Sequence, residues 1–233
     1  MYCALPKVAS TNWKRTFLSL DSRYTTKQLR NMTSDKIHWK LTRPNLNDRR
    51  ERTPKNLGQY YRLLFVRHPF ERLVSAYRDK FFRKHSPRES THYKRVHGRQ
   101  ILRLYRENPS EEQLKSGEGV TFTEFARYLV EKNVSDIHWD PIYDTCHPCL
   151  IDYHFIGHMR NLQRDAREAL DHIGLKDDSF FRYDMSETIK HGYLSSSRGG
   201  VIKDFPSLGR NMIDKLYQKY ENDFLAFGFE KYI

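Results

Sequence analysis

The chain is expected to fold as an α/β protein with a central, mostly parallel sheet flanked by helices. Three observations predict this. Short apolar runs recur at Tyr2–Leu5, Arg62–Val66 and Ile151–Gly157. Each is followed by a loop or turn and then by residues at helical spacing. No repeat of solenoid length interrupts the alternation. At 233 residues, 38% of them hydrophobic and 14% aromatic, the chain can bury a full core. It is read as a single domain, residues 1–233.

The elements follow in order. Tyr2–Leu5 reads as a buried strand that Pro6 ends. Pro6 to Ser10 is a loop, and Thr11 to Leu20 has helical spacing. Strand, loop and helix in that order turn helix-terminal N–H groups toward an anion. Thr42 to Lys55 is polar, with two prolines and four arginines, and reads as a surface loop. A second unit begins with the strand Arg62–Val66, turns at Arg67-His68-Pro69 and continues as a helix from Phe70 to Phe82. Thr121 to Lys132 is an amphipathic helix: Thr121 and Glu124 form a capping box, and Phe122, Phe125, Ala126 and Leu129 form the stripe. Ile151–Gly157 is a further strand, with a helix near Leu162 to Ile173. Gly192 to Gly200 reads as a flexible loop, and Asn211 to Phe227 as a closing helix.

Lys plus Arg outnumber Asp plus Glu by 41 to 29, a net charge of +12. Such a balance selects anionic partners and says nothing about fold. No zinc-finger spacing or RNA-binding aromatic signature is present, so nucleic acid is not the expected partner. Lys80 to Arg106 carries nine basic residues and one acid, interleaved with Phe81, Phe82, Tyr93 and Tyr105. Within it, Arg95 and Arg99 are candidate contacts to an acidic polymer. No apolar run approaches the roughly 20 residues that span a bilayer, so any membrane anchor is expected outside this sequence.

Two segments carry the chemistry. Pro6-Lys7-Val8-Ala9-Ser10-Thr11-Asn12-Trp13-Lys14 places a lysine in the turn and two hydroxyls at the helix start. These are the parts that hold a phosphosulfate and neutralise charge on a leaving phosphate, although the Walker pattern is absent. Arg67, at a strand end, and Ser75, in the next helix, can grip a phosphate monoester.

Taken together, Pro6 to Arg15 resembles the 5′-phosphosulfate loop, and Arg67 to Ser75 the 3′-phosphate motif, of Golgi carbohydrate sulfotransferases. The wording is closest to the branch that contains the chondroitin and dermatan 4-O-sulfotransferases and the HNK-1 sulfotransferase. Asn31-Met32-Thr33, Phe65-Val66-Arg67, His138-Trp139-Asp140-Pro141, Cys146-His147-Pro148-Cys149 and Phe155-Ile156-Gly157-His158 extend the likeness almost end to end. The resemblance implies a sulfotransferase fold related to P-loop nucleotide kinases. It implies 3′-phosphoadenosine-5′-phosphosulfate (PAPS) as donor and no metal. Lys7 would serve catalysis at the phosphosulfate, and Pro6 to Asn12 would bind it. Arg67 and Ser75 would bind the 3′-phosphate, and Arg198, in the Ser195 to Gly200 loop, would close on the nucleotide. The implied acceptor is a chondroitin- or dermatan-type glycosaminoglycan, most specifically the 4-OH of N-acetylgalactosamine. The alternatives are the 3-OH of an HNK-1-like glucuronic acid, a kinase-like enzyme and a non-catalytic polyanion-binding module. The implied setting is the Golgi lumen, in a type II membrane protein.

Attack by a sugar hydroxyl needs a proton acceptor, and imidazole suits that task. His38 precedes the Arg67 strand and is the first candidate. His138, beside Trp139, is the second, with Trp139 available to orient a sugar ring. Three cysteines, Cys3, Cys146 and Cys149, leave a redox dithiol, a zinc site and a structural disulfide open. The sequons at Asn31 and Asn133 favour an oxidising compartment and thus a disulfide.

Overall fold

Parallel pairing and an aromatic wedge organise the first part of the chain. The computed structural model describes residues 1–41, 57–82, 91–175 and 205–231. The expected loops at Thr42 to Lys55 and Gly192 to Gly200 lie outside them. In chain order the helices are α1 (Ser10–Ser19), α2 (Thr26–Asn31), α3 (Ser34–Leu41), α4 (Pro69–Tyr77), α5 (Arg99–Tyr105), α6 (Glu111–Ser116), α7 (Phe122–Lys132), α8 (Ile142–Cys146), α9 (Leu162–His172), α10 (Arg210–Lys219) and α11 (Glu221–Ala226). The strands are β1 (Leu63–Val66) and β2 (Phe155–His158). They fall into two compact units, Met1–Arg67 with Cys146–Asp184, and His68–Thr145 with Met185–Ile233.

In the first unit β1 pairs parallel with β2, Leu63 opposite Phe155 and Val66 opposite His158. All four β1 residues are buried, as a parallel strand covered on both faces requires. Phe65 lies opposite Gly157, and a Cβ on that glycine would sit 2.4 Å from the Phe65 ring. The glycine is there to admit the aromatic side chain. Trp13 of α1, fully buried, also packs against Phe65, at 4.9 Å between ring centres.

The expected sheet is larger than the one found. Among the described residues it holds two strands, extended by a single parallel bridge between Tyr2 and Leu63. Cys3 N donates to Leu63 O, but Leu5 N turns back to Cys3 O and Pro6 has no N–H, so the ladder stops there. The strand expected from Ile151 begins only at Phe155. Residues before it are held by Arg62, whose guanidinium donates to the carbonyls of Asp152 and Leu57 while its backbone N–H donates to His154 Nδ1. A disulfide joins Cys3 to Cys146, 143 residues apart in sequence, and Cys149 is exposed. The redox and zinc readings of the Cys146–Cys149 run give way to this long-range pairing.

The second unit is helical. Phe70, Leu73, Val74 and Tyr77 of α4 join Phe125 and Leu129 of α7, Trp139, and Leu216, Tyr220 and Phe224 in one apolar core. The capping box at Thr121 and Glu124 is present, and Arg106 adds an ion pair to Glu124 at 2.5 Å. The helix expected from Phe70 to Phe82 is α4 followed by a π-helical turn, Arg78–Phe82. The closing helix expected as one piece is two, broken at Tyr220. Tyr220 donates its hydroxyl to Trp139 O at 2.6 Å, and the break lets Asp223 accept the N–H groups of Ile142 and Tyr143. Periodicity reads through such a break because both halves keep the same apolar face.

Candidate active site

The loop from Pro6 to Ala9 is a sequence of turns that ends directly in α1. Lys7 (φ 72°) and Ala9 (φ 60°) are both left-handed, although neither is glycine. Each costs on the order of 1 kcal/mol or more, a strain that clusters at ligand-binding sites. Fully buried Leu5 and Val8 hold the loop down. A left-handed residue followed at once by a helix turns successive N–H groups to one side and forms a concave anion cradle. Ala9 supplies no side-chain cap, and its carbonyl accepts from Asn12 and Trp13.

Arg67, at the end of β1, is 3% exposed, and its guanidinium donates to the Lys7 carbonyl at 3.5 Å. The two motifs read separately from the sequence therefore meet at Lys7. His38, on α3, joins them from the other side: Nε2 lies 2.9 Å from Thr11 Oγ1, and Nδ1 lies 2.9 Å from Lys14 Nζ. A lysine ammonium only donates. Nδ1 is thus an acceptor, Nε2 carries the ring proton, and that proton goes to Thr11. Burial pushes the Lys14 pKa below its usual value. Arg15 fixes the same turn of α1, donating to Leu29 O, Met32 O and Asn12 Oδ1.

Within the first unit the structure thus assembles Lys7, Thr11, His38 and Arg67, with Pro6, Val8, Ala9, Ser10 and Asn12 forming the loop. Ser75, His138, Arg95 and Arg99 belong to the second unit, and Arg198 lies outside the described residues. Ser75 is half-buried on α4. Lys14 lies within the motif segment but had no role from sequence; it stands one helical turn after Thr11.

His138 is held in the opposite sense from His38. Its Nδ1 lies 2.7 Å from Asp136 Oδ1, and Tyr93 donates its hydroxyl to Asp136 Oδ2 at 2.9 Å. Burial pushes the Asp136 carboxyl up, but the bonds from His138 and Tyr93 outweigh it and hold the group at about 2. The ionised carboxylate accepts the Nδ1 proton, which puts the His138 lone pair on Nε2. Trp139 does not serve as a sugar platform. It is fully buried, with its indole N–H on Val134 O.

The basic segment is partly structural. Arg95 is exposed on a π-helical turn, Lys94–Gly98. Arg99 donates to the Lys115 carbonyl at 2.6 Å, bracing the end of α6. Lys80, 2% exposed, sits 4.6 Å over the Tyr93 ring.

A strained loop at a helix start, joined to a buried arginine at a strand end, has the chemistry to hold an anion. The profile described as the sulfotransferase family matches residues 1–230, and the chain belongs to that family. It is similar to carbohydrate sulfotransferase 11 of Mus musculus, with 32% identity over 98% of this chain and 64% of the relative. It is similar also to carbohydrate sulfotransferase 8 of Homo sapiens, with 35% identity over 99% of this chain and 53% of the relative. Carbohydrate sulfotransferase 10 of Mus musculus is 32% identical over 99% of this chain and 64% of the relative. The chain thus spans between about half and two thirds of the length of these curated relatives. No solved structure gives a significant match. No described helix is long and apolar enough to cross a membrane.

Proposed function

We propose that this chain is the single catalytic domain of a PAPS-dependent carbohydrate O-sulfotransferase. The observation that carries the reading is the loop from Pro6 to Asn12, whose Lys7 carbonyl accepts from buried Arg67. Lys7 and the N–H groups of the α1 start would neutralise the 5′-phosphosulfate. Arg67 and Ser75 would take the 3′-phosphate. A bidentate guanidinium and a hydroxyl suit a phosphate monoester. The donor follows from family membership, and the loop's role leads us to propose a kinship of fold with P-loop nucleotide kinases.

Transfer to a sugar hydroxyl also needs a group to take the proton. Chain order pointed to His38, but the hydrogen bonds favour His138, whose Nε2 is in the form that accepts. We assign the acceptor to the acidic glycosaminoglycans, chondroitin or dermatan, at the 4-OH of N-acetylgalactosamine. The net charge of +12 and exposed Arg95 support a polyanion. The Cys3–Cys146 disulfide and the exposed sequon residues Asn31 and Asn133 support a secretory compartment, the Golgi lumen.

The test is transfer of labelled sulfate from PAPS to desulfated chondroitin, dermatan and heparan chains, with the product disaccharides identified. Label on the 4-position of N-acetylgalactosamine is the expected result. Label confined to heparan or to glucuronic acid overturns the acceptor assignment, and no label on any chain overturns the enzyme.

A further inference from the structure

We infer that Lys14, His38 and Thr11 form a donor relay that aims the Thr11 hydroxyl proton at the anion in the Pro6 to Asn12 loop. The inference rests on reading that loop as the phosphosulfate site. It makes Lys14 and His38 positioning residues for donor binding.

The direction of the relay is forced by chemistry. Lys14 Nζ can only donate to His38 Nδ1 at 2.9 Å, so His38 Nε2–H donates to Thr11 Oγ1 at 2.9 Å. The Thr11 hydroxyl, already accepting, has its own proton to place elsewhere. Within α1 the usual destination is the carbonyl four residues back, and Thr16 takes it, donating to Asn12 O at 3.1 Å. Thr11 is the second residue of α1, and four residues back lies Lys7, outside the helix, with its carbonyl already turned to Arg67. The acceptor that suits the Thr11 proton is an anion in the cradle.

The relay has a physical purpose. The Lys14 stem leaves α1 one turn below the loop, and its ammonium is half-buried. Its charge reaches the anion through the imidazole. Each donor in such a chain polarises the next and strengthens the last bond. The same order of bonds explains why His38 is not poised as a base, because the nitrogen facing the loop already holds a proton. The packing that sets this geometry lies beneath it, where Leu18, Leu29 and Ile37 form a small closed cluster of α1, α2 and α3.

The experiment is a double-mutant cycle read by calorimetric titration of adenosine 3′,5′-bisphosphate into the full chain. Thr11→Val is expected to weaken binding about 10-fold or more, the scale of a hydrogen bond to a charged group. Lys14→Met is expected to weaken it about 3- to 10-fold, with the double variant no weaker than Thr11→Val alone. In the wild-type chain, nitrogen-15 NMR should show His38 protonated at Nε2, and Lys14→Met should mix the tautomers. Additive losses, or a wild-type ring protonated at Nδ1, overturn the relay. So does a His38→Ala variant that binds the nucleotide normally. Lys7→Ala and Arg67→Ala separate the two ideas. If they bind as wild type does, or if wild type does not bind, the loop reading falls and the relay with it. If they lose binding while the cycle is additive, the relay alone falls.

Discussion

The guanidinium of Arg67 donates to the backbone carbonyl of Lys7, 60 residues earlier in the chain. This one bond ties the end of β1 to the loop that precedes α1. On the proposed reading, Lys7 and Arg67 each meet a different phosphate of one nucleotide. Lys7→Ala and Arg67→Ala should each weaken adenosine 3′,5′-bisphosphate by about 10- to 100-fold, the range of a charge-assisted contact. Arg67→Ala should also lower thermal stability, because it strips a partner from a strained loop. Titration calorimetry with a melting curve reads both effects.

The Cys3–Cys146 disulfide closes most of the chain into a loop. Reduction, or Cys3→Ser, should destabilise the fold by about 2–5 kcal/mol. Cys149→Ser, at an exposed position, should change stability by less than about 0.5 kcal/mol. Urea unfolding with and without reductant tests the pairing. A larger loss from Cys149→Ser than from Cys3→Ser would contradict it.

Asp223 gives the fold a pH signature. Burial raises its carboxyl to about 6, against the pull of the Tyr143 and Ile142 N–H groups and of Arg72, with Asp144 adding to the rise. The folded state therefore binds a proton that the unfolded state has released between about pH 4 and pH 6. The contribution of this group to stability falls as pH rises through that window and is level above it. Ile142 N–H donates to one carboxylate oxygen and Tyr143 N–H to the other, so Asp223→Asn keeps an acceptor for one of them and removes the titration. Its stability-versus-pH curve should lose that downward component, which denaturant melts from pH 4 to 8 will register.

The acceptor surface should divide the two arginines. Arg95→Glu, at an exposed side chain, should raise the acceptor KM several-fold, more at low salt, and leave nucleotide affinity alone. Arg99→Glu removes the brace on Lys115 O and should lower stability instead. Salt-dependent kinetics beside melting curves distinguish these outcomes. An unchanged acceptor KM in Arg95→Glu moves the groove elsewhere.

The two histidines should differ in kind. His138→Ala should cost roughly 10²–10⁴-fold in kcat with donor affinity retained. Asp136→Asn should cost a substantial part of that, because an amide no longer selects the Nδ1–H form. His38→Ala should raise the donor Kd instead. A His138→Ala enzyme with near-normal kcat would return the base to His38.

Some of the geometry was legible in order and spacing. The loop before α1 and the arginine at the end of β1 are local patterns, and local patterns survive in a linear reading. The capping box of α7 was equally readable, since all its partners lie within three residues. What escaped was set by contacts over long separations. The tautomer of His38 depends on a lysine 24 residues away, and the start of β2 depends on Arg62. Neither leaves a mark in periodicity. Arg99 looked like its neighbour Arg95 until its partner carbonyl was known.

The sequence by itself determined the family of the chain and the residue types on offer: hydroxyls and a lysine at a helix start, an arginine at a strand end, and an excess of positive charge suited to an anionic partner. These follow from side-chain chemistry and need no coordinates. Only the tertiary structure decided that Cys3 pairs with Cys146 and that the sheet is small. It alone set the partner of each histidine, one beside an ammonium and one beside a carboxylate. An imidazole has two nitrogens of nearly equal basicity, so the neighbour that folding brings to one of them decides what the other can do.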